Sequence, residues 1–167
     1  DFPPLCSDGV GLAAARYFEL VPPSWGASLN GSLEVTVPVT PHSGLGRLLR
    51  WAAESAPVGA TVELQLSEGF YEVDRGSLAG IPWAIDGTGR ASEVRLVAPG
   101  GPAVIGGRSY SARPRELVLQ VGTGVRVVLQ NLVFQHLSRV LSLSGDVELR
   151  DVTLTWCWPQ SQNGRAP

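Results

Sequence analysis

Arg108, Tyr110, Arg113 and Arg115 fall together in GGRSYSARPRE, the most basic and most polar stretch of the chain. Planar guanidinium groups hold carboxylates and sulfates through paired hydrogen bonds, and a tyrosine ring stacks on sugars and cations. This combination suits an anionic sugar or the acidic surface of a partner protein. The same residues also describe a solvated loop, because all thirteen basic residues of the chain are arginine, the mark of GC-rich coding. Without lysine, no lysine nucleophile or lysine Schiff base is available.

Other reactive side chains are scattered. Asp86 in IDGTG and Asp74 beside Arg75 have the chemistry of metal ligands or acids, but an aspartate before glycine more often makes a turn. His42 and His136 are far apart in sequence and neither has a serine or cysteine partner motif, so His136 reads as a corner residue. Cys6 and Cys157 sit near opposite ends; a disulfide between them would need the leader to run back along the molecule, two free thiols are the plainer reading, and without nearby histidines they make no zinc site. Trp51, Trp83, Trp156 and Trp158 could stack on sugar rings, although Trp156 keeps the inward parity of Val152 and Leu154 and so favours packing. Asn30-Gly31-Ser32 is an N-glycosylation sequon. No catalytic residue, metal site or cofactor is expected from these residues.

A chain of 167 residues with 44% hydrophobic content and a net charge of −2 can bury a core as one unit and is no general nucleic-acid binder. Its twenty glycines and thirteen prolines call for many turns and little helix. The absence of methionine is expected of a processed chain or a piece of a longer one. No apolar run reaches the length of a membrane span, and no signal peptide is recognisable.

Residues 1–31 read as an irregular leader with a weak helix from Gly11 to Leu20. A half-buried strand follows from Ser32 to Thr40, with Leu33, Val35, Val37 and Val39 on one face and Pro38 implying a sheet edge. An amphipathic helix is predicted over 44–56, with Ser43 as its cap, Leu45, Leu48, Leu49 and Ala52 inward, and Pro57 as its stop. Val62, Leu64 and Leu66 then line a strand that Val94, Leu96 and Ala98 repeat. VVLQNLVF from Val127 matches VELRDVTL from Val147 position by position, at an offset of about 20 residues. Val127 and Leu129 have odd parity while Leu132 and Phe134 have even parity, so the chain must turn between them, at Asn131 and at Asp151 in the second copy. Loops are expected at about Ser77–Ala91 and Gly106–Glu116, and a flexible tail over 159–167.

From RLLRWAAESAPVGATVELQLSEGFYEV, EVRLVAPGGPAVIGG, VRVVLQNLVF and VELRDVTL, the chain resembles the pectin-lyase-like, right-handed parallel β-helix superfamily over about residues 42–156. The resemblance implies an all-β fold, a right-handed parallel β-helix that is a short solenoid of roughly four coils. Residues 32–158 would form it behind the leader, with the helix as its N-terminal cap. Lyases of that superfamily bind calcium through several carboxylates on adjacent coils and use an Arg or Lys as base, and its hydrolases cluster aspartates. Glu63, Glu93, Glu148 and Asp151 stand isolated here.

The expectation is therefore a non-catalytic structural or binding module of a larger extracellular or cell-surface assembly protein, one that contacts carbohydrate. The alternative is the N-terminal piece of a pectate-lyase-like polysaccharide lyase or glycoside hydrolase, and a third reading is an intracellular scaffold. Expected partners are other protein chains or further coils of the same chain at the open end of the solenoid, together with polysaccharide, with no nucleic acid and no membrane span.

Overall fold

Alternating apolar residues become strands whose inward positions align across the molecule. The computed structural model describes residues 17–19, 21–27, 31–72, 83–85, 90–107, 119–137, 141–143 and 145–155. In chain order the elements are β1 (Ser24–Ala27), β2 (Leu33–Val39), α1 (Leu45–Glu54), β3 (Thr61–Leu66) and β4 (Gly69–Glu72). Then come β5 (Trp83–Ile85), β6 (Glu93–Val97), β7 (Ala103–Gly106), β8 (Leu119–Val121) and β9 (Arg126–Gln130). The last are β10 (Leu132–Gln135), β11 (Leu141–Leu143), β12 (Asp146–Arg150) and β13 (Thr153–Thr155). A further helical segment is visible at 17–19.

The strands form three sheets, a six-stranded one in the order β1-β2-β3-β6-β9-β12, a four-stranded one in the order β13-β10-β7-β4, and a three-stranded one in the order β11-β8-β5. Pairing is parallel throughout except between β1 and β2, which run antiparallel. Register lines up Val35, Val62, Val94, Val127 and Val147 in one column, and Val37, Leu64, Leu96, Leu129 and Leu149 in the next. In the four-stranded sheet Tyr71, Ile105, Phe134 and Leu154 align likewise. The 20-residue offset read from the sequence is therefore a parallel pair, β9 on β12, with Val127 against Val147 and Leu129 against Leu149.

The change of parity is made where it was expected. Asn131 between β9 and β10, and Asp151 between β12 and β13, adopt left-handed backbone conformations with φ of 57° and 51°. At each the chain leaves the six-stranded sheet for the four-stranded one. The Asn131 Nδ2 group donates to the Ala98 carbonyl at 2.8 Å, tying this corner to the strand end of the preceding layer.

The expected all-β, right-handed parallel β-helix of roughly four coils is corrected on the fold class. The chain is mixed α/β, with parallel and antiparallel pairing joined in its largest sheet and with helix as well as strand. Strand periodicity dominates the sequence, yet α1 contributes Leu45, Leu48, Leu49, Trp51, Ala52 and Ala53 to the core. A helix with this many buried side chains is part of the core and more than a cap. β1, whose SWGA sequence has no alternation to read, adds the antiparallel strand.

Two local expectations also change. Gly44, in the left-handed region at φ 73°, occupies the N-cap position of α1 without a side-chain cap. Ser43 instead closes the turn before it, its Oγ accepting from the Thr40 N–H at 2.7 Å and donating to the Tyr17 hydroxyl at 3.1 Å. Pro38 lies in β2, which is flanked by β1 and β3; β1 reaches only as far as Thr36, so the missing N–H of Pro38 falls beyond it.

Trp51 is buried in the core, where the Phe18 ring meets it edge-on at 4.8 Å between centroids. Tyr17 hydrogen-bonds through its hydroxyl to the Pro38 carbonyl. The described part of the leader thus packs at the β2 and α1 end of the molecule.

Replacing Asn131 by alanine should cost about 2 kcal/mol, combining the left-handed penalty of a residue with a Cβ and the lost bond to Ala98. Asn131→Gly should cost less, because only the bond is lost. Urea denaturation of both variants checks the order.

Candidate functional site

Most of the residues singled out for chemistry lie outside the described residues: Arg108, Tyr110, Arg113, Arg115, Asn30, Cys6, Cys157, Asp74, Asp86, Trp156 and Trp158. Of Trp83 only the backbone, in β5, is described. His42 is exposed in the turn before α1. His136 takes a left-handed corner, at φ 54°, and its backbone N–H donates to the Thr155 carbonyl at 3.3 Å. Among the described residues no three His, Cys, Asp or Glu side chains converge as a metal site.

Acids that look isolated in the sequence meet arginines on the outward face of the six-stranded sheet. Register sets Glu93, Arg126 and Asp146 in one row, and Glu63, Arg95, Val128 and Glu148 in the next. Arg95 bonds Glu93 and lies 3.7 Å from Glu63. Arg126 bonds Glu148 at 2.7 Å and approaches Glu93 at 3.8 Å and Asp146 at 3.9 Å. Arg150 bonds the other oxygen of Glu148 at 2.6 Å. This ladder was illegible in the sequence because its members come from strands far apart in the chain.

Glu148 is its most engaged carboxylate. Hydrogen bonds from Arg150 and then Arg126 hold its pKa below the ordinary 4.5. The same contacts raise Arg126 and Arg150, in each case chiefly through the bond to Glu148. An acid gripped by two guanidinium groups is neither an available base nor a ready cation ligand. The ladder ties neighbouring strands together at the surface, where each pair alone is weak.

The second feature lies at the end of the columns. Leu129 and Phe134 are fully buried, whereas Leu149 and Leu154, the next residues in the same columns, are 49% and 55% exposed. Val147 and Val152 beside them are only partly buried. Strands β12 and β13 are the terminal strands of their sheets, so along this edge the inward face of the molecule meets solvent among the described residues. At the opposite end β1 pairs with β2, and Phe18 packs against Trp51 of α1.

Comparison with known protein families, with curated proteins and with solved structures finds no match. Among the described residues no helix is long and apolar enough to cross a membrane.

The depressed pKa of Glu148 fixes the sign of an acid effect. The unfolded chain takes up this proton at higher pH than the folded one, so the contribution of Glu148 is present above 4.5 and is lost as pH falls through its folded value. Glu148→Gln should flatten the acid limb of stability against pH below 4.5, more at low than at high ionic strength. Thermal unfolding across an acid pH series measures both.

Proposed function

We propose that this chain is a non-catalytic binding and assembly module of a larger extracellular or cell-surface structure, and that it docks a protein partner on the edge formed by β12 and β13. The observation that carries the reading is the interruption of the apolar columns at Leu149 and Leu154, whose counterparts one strand earlier are fully buried. A terminal strand exposes a row of backbone donors and acceptors, and exposed leucines beside it add apolar area that a partner can cover. Alternate side chains then supply specificity, as in other strand-addition interfaces.

A binding role is also favoured by the state of the outward acids. Glu63, Glu93 and Glu148 are committed to arginines, an arrangement that joins strands rather than one that leaves a carboxylate poised for proton transfer. The extracellular placement rests on the sequon at Asn30, in which Gly31 is exposed.

The test is to compare the native-source protein with a Leu149→Asp/Leu154→Asp variant expressed in the same source. Because both positions are exposed, the variant should fold with little change in thermal midpoint. The parent should migrate, undenatured, in an assembly larger than its own denatured mass, and the variant should be released from it. A folded variant that remains in the assembly overturns the reading.

A further inference from the structure

The outward residues of β12 are Asp146, Glu148 and Arg150, so the strand carries opposite charges at its two ends. Asp146 is 75% and Arg150 52% exposed, so both can reach across the edge. A second copy of the strand added in parallel would set Asp146 on Asp146 and Arg150 on Arg150. Turned antiparallel about Glu148, it sets each Asp146 opposite an Arg150 of the other copy and each Val147 opposite a Leu149. Directly opposed residues of an antiparallel pair share a face, so the charges meet outside and the apolar side chains meet inside.

We propose that a second copy of this chain pairs its β12 antiparallel to β12 across a two-fold axis through Glu148. The proposal rests on the docking reading and names its partner. The pairing satisfies the backbone edge of both strands and brings the exposed Leu149 side chains, with Val147, face to face across the axis. Val152 and Leu154 lie along the neighbouring edge and extend the apolar patch.

The one like-charged opposition, Glu148 on Glu148, is offset because each carboxylate is already held by Arg126 and Arg150 of its own copy. Such a contact is the same patch on both molecules and closes at two. The terminal strand at the opposite end, β1, reads SWGA and has no charge to answer Asp146 or Arg150, which disfavours head-to-tail stacking.

Sedimentation of the purified 167-residue chain over a range of concentrations tests the pairing. The expected species is a dimer of twice 17.7 kDa. Arg150→Glu and Asp146→Arg, each checked for folding by circular dichroism, should weaken the dimer roughly 10- to 100-fold, from the summed loss and reversal of cross-strand charge pairs. The Asp146→Arg/Arg150→Glu double variant should recover most of that loss.

Should a single variant fail to fold, Glu148→Cys in a Cys6→Ser/Cys157→Ser background should cross-link to its own copy on oxidation, whereas Glu34→Cys in that background should not. A chain that stays monomeric, assembles beyond a dimer, or ignores the charge exchange overturns the pairing. If the purified chain is monomeric while the native-source assembly still releases the Leu149→Asp/Leu154→Asp variant, the edge binds a different protein and only the choice of partner has failed.

Discussion

Lateral register is the constraint on which the rest of the structure depends. Side chains alternate between the two faces of a strand, so a slip of one residue exchanges core for surface along its whole length. Here the register of β3, β6 and β9 places valine on valine and leucine on leucine, with every inward member fully or almost fully buried. The same register fixes the outward rows, so Glu93 comes beside Arg126 and Arg126 within reach of Glu148 without any separate device. The corner at Asn131 keeps this alignment when the chain passes into the next sheet, because it absorbs the change of parity in a single left-handed residue.

The ends of the columns are finished differently. At one end β1 reverses direction on β2, and Tyr17 and Phe18 close against Pro38 and Trp51. The Trp51 Nε1 group has no hydrogen-bond partner among the described residues, so its indole serves as apolar bulk for Phe18 and the helix face. At the other end β12 and β13 expose the leucines that continue the core columns. The acids and arginine on the outward side of β12 limit indiscriminate strand addition, and their mixed order admits some partners and repels others.

How much of this the sequence discloses follows from how local each signal is. The strands of Val62, Val94 and Val127, the inward face of α1 and the turn at Asn131 are legible because each depends on a few neighbouring residues whose pattern has one physical solution. The match of Val127–Phe134 to Val147–Leu154 even shows which strands pair. The class of the fold was misjudged because strand signals outnumber the single strong helix, whose core contribution includes Trp51, a residue that sequence alone leaves between sugar stacking and packing. β1 was missed because Ser-Trp-Gly-Ala has no alternation, and Ser43 was taken for a cap although its hydroxyl is spent on Thr40 and Tyr17. The charge ladder needs register between distant strands, which no local pattern contains. The basic loop around Arg108 and the sequon asparagine at Asn30 remain sequence expectations, outside the described residues.

The spacing of paired strands also governs how the chain reaches this arrangement. β3 pairs β6, and β6 pairs β9, with about thirty residues between partners, so none of these contacts forms without first closing a long loop. Contacts of that range slow folding, since the entropic cost precedes the gain from burial. Each strand already in place gives the next a prepared row of donors, acceptors and apolar columns. Because closure entropy rises by only about 0.6 kcal/mol for each doubling of loop length, the connections between strands can lengthen or shorten at small cost to stability while the columns they join stay fixed.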